Sequence, residues 1–272
     1  MASLSTAELK ALELFALQLA EAAAKVALPL FRVADQGEVS KDGHSQGFDP
    51  VTEADRGAER AIRALINTHY PDHGIIGEEY GEERSDAEFV WVLDPVDGTR
   101  AFISGLPLWT TLIALRHHGR PVLGIISQPF LKEIFLGSPL GSRLITPEGE
   151  TPLKVRDGGT LENAVFATTD PDLYYDGEHA AFYNLRNKVR LMRYGCDAYA
   201  FAMVALGTMD AVVETGLKAW DIEAVIPVIE NAGGVVSNWH GETVGQNGGQ
   251  VIAAGSRAIL DAAVGYLKPV AD

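Results

Sequence analysis

Acidic residues recur at the ends of apolar runs. Glu78 and Glu79 follow GIIG (74–77), Asp94 and Asp97 follow FVWVL (89–93), and Asp221 follows Trp220. Carboxylates are hard oxygen donors, and Mg2+ takes such oxygens while keeping several waters. Gathered in one place they repel one another unless a cation neutralises them or some bind protons. Their placement at element ends, where distant parts of a chain converge across a cleft, therefore points to a divalent-cation site. Each motif also has a plainer reading. Asp94–Gly98 has the composition of a tight turn, Thr52 with Asp55 fits a capping box, and Asp221 suits a helix N-cap.

Other chemistries find less support. The seven histidines form no HExxH pattern and there is one cysteine, Cys196, so no zinc site is expected. His117-His118 ends a strand-like run and is expected to be exposed. Phosphate-loop, dinucleotide and serine-hydrolase glycine motifs are absent from the sequence. The charge balance of 22 basic against 37 acidic residues gives −15, which disfavours nucleic acid and anionic membrane surfaces as partners. The single cysteine and the lack of a signal-like leader suggest a reducing, cytoplasmic setting.

The elements that must position these acids alternate along the chain. Leu9, Leu12, Ala16, Leu19, Ala23 and Val26 recur at helical spacing, with Pro29 near the helix end. Residues 33–50 read as a mobile loop or hairpin, placed to act as a lid. A second helix follows Thr52, and strands are expected over 74–77, 89–93, 111–115, 121–127 and 133–138. EGETP marks a turn-rich boundary near residue 150. Beyond it come strands over 163–169 and 188–195, a helix over 197–206, a strand over 209–215, a helix over 221–231 stopping at Gly233-Gly234, a strand over 251–256 and a terminal helix. Clustered strands between helices predict layered α+β packing in one catalytic domain, 1–272. Within it, subregion 1–150 carries most of the candidate metal ligands and 151–272 carries substrate-side residues and Asp221.

Taken together, GEE at Glu78-Glu79, DPVDGT (94–99), Trp220-Asp221 followed by AGG, and the upstream DPVTEAD (49–55) resemble the inositol monophosphatase-like, magnesium-dependent, lithium-sensitive phosphatases. The match runs in order from about residue 10 to 265. The resemblance implies a layered αβαβα sandwich and a homodimer. It implies a first Mg2+ on Glu78, Asp94 and the Val96 carbonyl, a second on Asp94, Asp97 and Asp221, and a third, weaker ion reached by Glu78. Thr99 with Asp55 would orient the attacking water. Independently, a phosphate monoester needs an activated water and a stabilised leaving oxygen, which paired ions supply. Gly98-Thr99 and Gly195-Cys196 each precede a helix, and helix N-termini suit anions, so backbone amides there are expected to cradle phosphate.

Within that family, DGTRAFISGLPLWTTLIAL (97–115), RYGCDAYAFAMVALGTMDAVVE (193–214) and LKAWDIEAVIPVIENAGG (217–234) are most similar to the histidinol-phosphatase branch. Asp197 and Glu214 have no metal role and could face a cationic amino alcohol. An ammonium about 4 Å from a carboxylate gains roughly 1 kcal/mol in water and about 4 kcal/mol where partly shielded. The plainer reading is that Asp197 caps a helix and Glu214 bonds a hydroxyl. Arg100 stands between pairing with a carboxylate and touching phosphate. The expected activity is hydrolysis of L-histidinol phosphate. The alternatives are an inositol or broad sugar-phosphate phosphatase and, from another class, a non-catalytic binder of phosphate ligands. The last has no use for a water-orienting threonine.

Overall fold

The computed structural model describes residues 4–35, 37, 39–40 and 50–272. Helix α1 (Thr6–Ala27) starts at a Ser5–Glu8 capping box and passes into a 3-10 turn at Leu28–Leu30, where Pro29 fits. Of the stretch 33–50, strand β1 (Val39–Ser40) pairs antiparallel with β2 (Pro50–Val51). Residues 36, 38 and 41–49 lie outside the described residues, and with them most of the expected hairpin and the lid.

Helix α2 (Glu53–His69) is capped by Thr52 and Asp55 as its sequence predicts. Strands β3 (Gly74–Gly77), β4 (Gly81–Glu83) and β5 (Phe89–Asp97) follow, then the one-turn helix α3 (Thr99–Ile103). Five more strands continue as a meander: β6 (Thr110–His117), β7 (Arg120–Gln128), β8 (Glu133–Ser138), β9 (Gly141–Thr146) and β10 (Gly149–Pro152). They build an eight-stranded sheet in the order β10-β9-β8-β7-β6-β5-β3-β4, antiparallel except where β3 runs parallel to β5.

The second half contributes β11 (Val165–Thr168), α4 (Asp176–Arg186), β12 (Leu191–Tyr194), α5 (Asp197–Ala205) and β13 (Ala211–Leu217). It ends with α6 (Ala219–Ile222), α7 (Val225–Glu230), β14 (Val235–Ser237), β15 (Gly249–Ala254) and α8 (Arg257–Leu267). The second sheet has the order β12-β11-β13-β15-β14. The single helix expected over 221–231 is instead two. Pro227 can donate no N–H, and the break before Val225 puts it in the first turn of α7, where none is needed.

Side-chain alternation produces the layers. On β5, Trp91 and Leu93 face α1 and α2 together with Leu19 and Ile62. Val90 and Val92 face the other way, onto α5, α7 and one face of the small sheet through Ala167 and Val212. The opposite face of that sheet, through Phe166 and Val213, packs on α4 and α8. The result is the αβαβα sandwich. Because β5 is covered on both faces, its sequence reads as a continuous apolar run.

Candidate active site

FVWVL was expected to end at residue 93, with a turn after it. The strand runs on to Asp97 and carries the acids itself. Asp94 and Asp97 are three residues apart, which in a regular strand would put them on opposite faces. Across the ladder Asp94 pairs with Leu112 and Asp97 with Thr110. Three steps on β5 therefore match two on β6, which defines a β-bulge. The extra residue turns both carboxylates toward one cavity. Pro95 sits in the bulge because it has no N–H to give the ladder, and its carbonyl accepts Thr111 Oγ1 at 2.8 Å. Gly98, at φ +78°, then turns the chain into α3.

The cavity has a volume of about 290 Å³. Glu78, Asp94, Val96, Asp97 and Asp221, the five expected ion donors, all line it. Gly98, Thr99, Arg100, Asp197 and Glu214 line it as well. Asp55 lies behind, 1% exposed, with Oδ1 3.3 Å from Thr99 Oγ1. That hydroxyl is also 3.1 Å from the Val96 carbonyl. It has one hydrogen, so the two acceptors compete for it.

Two expected cradle residues, Gly195 and Cys196, are not among the lining residues. Cys196 is buried in the central core, and the first amides of α5 turn elsewhere: Ala198 N–H donates to Asp97 Oδ2 at 2.8 Å. Neither proposed cap is a simple N-cap. Asp197 is the first residue of α5, at φ +44°, and Asp221 is the third of α6, accepting Lys218 N–H at 2.6 Å.

Several supporting residues went unread in the sequence. Glu59 is fully buried and accepts the amides of Glu79 at 2.8 Å and Tyr80 at 3.1 Å. It pairs with Arg63 at 2.7 Å, and Arg63 continues to Glu83 and the Gly81 carbonyl. This brace fixes the turn that follows Glu78, while Glu78 N–H bonds the Leu93 carbonyl at 3.2 Å. A Cβ on Gly77 would lie 2.1 Å from Glu59 Oε1, so the brace needs glycine there. The available signal was Asp55, Glu59 and Arg63 at four-residue spacing on one face of α2. Thr110 Oγ1, 3.2 Å from Asp97 Oδ2, and Thr169, whose N–H and hydroxyl both bond Glu214 Oε1, left no such trace.

Electrostatics single out the same residues. Burial, and after it the charges of Glu78, Asp97 and Asp221, hold the Asp94 carboxyl well above its ordinary range. Asp97 is raised in the same way, by burial and then by Asp197. Burial lifts Asp197 to about 6 against the opposing charge of Arg100, and Glu214 to about 8 against its threonine hydrogen bonds. Arg100 reaches Asp170 at 3.8 Å. Oxygen donors that repel one another around one cavity are what a hard divalent cation requires, so the residues present fit Mg2+.

The sequence profile of the inositol monophosphatase family matches residues 8–269. The chain belongs to the inositol monophosphatase family. It is 42% identical over 216 residues to the Arabidopsis thaliana protein named bifunctional phosphatase IMPL2, chloroplastic, covering 76% of this chain and 62% of that one. A histidinol-phosphatase of Chlorobaculum parvum is 36% identical, covering 83% and 85%. A solved inositol monophosphatase from Zymomonas mobilis superposes with a TM-score of 0.81 at 39% identity, covering 93% and 96%. The family match over residues 8–269 spans both sheets and every residue that lines the carboxylate cavity. Among the described residues of this family member, no helix is long and apolar enough to cross a membrane.

Proposed function

We propose that the chain is a magnesium-dependent phosphate monoester hydrolase acting on L-histidinol phosphate. The observation that carries the substrate is the pair Asp197 and Glu214. These two carboxylates, Glu214 buried and Asp197 half-buried, share the cavity with the ion donors and stand outside the set assigned to the ions. An ammonium beside them gains more than it would in water, because the site is shielded. The named activity of the Chlorobaculum relative supports the same substrate.

Glu78, Asp94 and the Val96 carbonyl would hold one ion, and Asp94, Asp97 and Asp221 a second, with Glu78 also able to reach a third. Bound there, such ions acidify water and draw charge from phosphate and leaving oxygens. The chain's own residues do the rest. Asp55 is held by Thr52 through its N–H at 2.8 Å and its hydroxyl at 2.5 Å. So fixed, it presents Oδ1 to Thr99, which orients the attacking water; as the water gives a proton to the Thr99 hydroxyl, that hydroxyl passes its own hydrogen to Asp55 Oδ1. Water attacks phosphorus directly and no covalent enzyme intermediate forms.

One observation favours a second reading, an inositol phosphate substrate. With its carboxyl lifted to about 8, Glu214 is mostly protonated at neutral pH and so resembles a hydroxyl-binding group. Phosphate release with Mg2+ on histidinol phosphate and inositol 1-phosphate separates the two. For histidinol phosphate as substrate, Asp197→Asn lowers kcat/KM on it by at least about tenfold more than on inositol phosphate. Equal losses on both remove the cationic-substrate assignment.

A further inference from the structure

A second set of metal donors sits at the other end of β5. Glu88 immediately precedes Phe89, the first residue of β5, and Phe89 is paired with His117, the last of β6. His118 follows in the turn to β7. Adjacent residues on a strand point to opposite sides, but His118 has φ +51°, and this left-handed step breaks the alternation. The His118 N–H bonds the Glu88 carbonyl at 2.9 Å, tying the two segments together. Both rings then aim at one oxygen. Glu88 Oε1 is 3.1 Å from His117 Nε2 and 3.4 Å from His118 Nε2.

These two separations, the shorter of them also a hydrogen-bond contact, are near those of donors that share an ion. Donors about 2.0–2.1 Å from a tetrahedral centre stand about 3.3–3.4 Å from one another. All three ligand atoms lie within 4.8 Å, and among the described residues this is the one His, Cys, Asp or Glu group of three or more that does so. No three of the cavity carboxylates meet that limit. Rigidity is built in: the His117 ring stacks on Phe89 at 4.6 Å and 11°, and lies 4.3 Å from His118. Glu88 and His118 are exposed, so an ion can enter and fill its remaining position with water, as in three-ligand zinc sites.

We propose that Glu88, His117 and His118 form a binding site for a borderline divalent transition metal of the Zn2+ class, separate from the carboxylate cavity. Two imidazoles and one carboxylate favour Zn2+, Cu2+ or Ni2+ over Mg2+. The all-oxygen cavity has the opposite preference, so the two sites sort ions by donor chemistry. Bound metal clamps the entry of β5 to the β6–β7 turn. The sequence hides this site because Glu88 is far from the histidine pair along the chain and the left-handed turn carries no motif.

The test uses untagged, chelator-stripped full-length protein with Mg2+ at saturation to occupy the oxygen site. Calorimetric titration with Zn2+ is expected to show one equivalent, accompanied by a rise in Tm through linkage. Cu2+ in its place is expected to give an electron paramagnetic resonance spectrum with nitrogen hyperfine splitting. His118→Asn, a residue that tolerates the left-handed backbone, and Glu88→Gln each weaken Zn2+ binding by at least about tenfold while Mg2+-supported turnover is unchanged. The proposal is overturned if wild-type protein shows no Zn2+ binding under Mg2+, or if both variants bind Zn2+ as wild type does.

Discussion

Glu214 offers a direct measure of how far the cavity is built around uncompensated charge. It is 2% exposed and its carboxyl sits at about 8 rather than 4.5, with burial the leading cause. The folded protein therefore holds a proton that the unfolded chain gives up at lower pH. Its contribution to stability is complete below about 4.5 and is lost as pH rises through about 8. At about 1.4 kcal/mol for each pKa unit, the loss across that window has a ceiling of about 5 kcal/mol. Water entry lowers it, and at least about 2 kcal/mol is expected to survive.

Glu214→Gln removes this loss and keeps the contacts. The amide oxygen accepts the two Thr169 bonds to Oε1, at 2.7 and 3.0 Å, and the amide N–H faces Thr168 Oγ1, 3.3 Å from Oε2 in the acid. Thermal unfolding in chelator at pH 5 and pH 9 should show the wild type losing more stability than the variant. At about 2–4 °C per kcal/mol, the difference is at least about 4 °C. Asp197 and the other acids titrate in both proteins, so the difference belongs to Glu214 and its coupling to Asp197. Identical pH profiles would refute the account of a buried, proton-holding carboxyl.

Asp97→Asn is expected to lower Mg2+-dependent phosphate release by more than about a hundredfold, yet to raise the Tm of the chelated protein, since one of several repelling charges is gone; a lower Tm in chelator contradicts the second half. Glu59→Gln loosens the turn after Glu78, so the Mg2+ concentration for half-maximal turnover rises about tenfold, and calorimetric Mg2+ affinity falls in step. Unaltered Mg2+ affinity would reduce Glu59 to a purely structural role. Gly98→Ala places a Cβ 2.9 Å from Asp197 Oδ2 at φ +78°, with about 1–2 kcal/mol of backbone cost alone. Both Tm and turnover should drop, and a silent substitution would mean the α3 entry is not fixed.

Much of the fold could be read because burial writes periodicity into sequence. The α1 stripe, the Thr52–Asp55 cap and the apolar runs of β3, β6, β7 and β8 are all visible in that way. β10 was taken for a boundary at EGETP because it is an edge strand exposed along its whole length, with no buried face to imprint a pattern. The site was legible as a set of residue types at element ends, but its geometry was not. The bulge that brings Asp94 and Asp97 to one side depends on register against β6, and the Ala198 amide on Asp97 comes from 101 residues away. Those are tertiary facts with no local signature. Glu59 falls between: its spacing to Asp55 was visible, but its role needed the β3–β4 turn in place.

Four buried acids of this chain contrast with the pair on the β5 bulge, and the contrast points to the site without reference to any relative. Glu13 pairs with Arg143 at 2.9 Å, Glu59 with Arg63 at 2.7 Å, Asp210 with Arg156 at 3.0 Å, and Glu223 with Arg116. Each of these carboxylates has its countercharge inside the protein, and removing one partner would leave an unpaired charge, which is costly. Asp94 differs, because the leading charges acting on it are other carboxylates. For Asp97 the leading charge is Asp197. Among the described residues, arginine pairs with four buried acids but forms no salt bridge with Asp94 or Asp97 on the β5 bulge. A cation from solution would relieve that repulsion, which makes cation affinity and low stability of the cation-free site two consequences of the same arrangement.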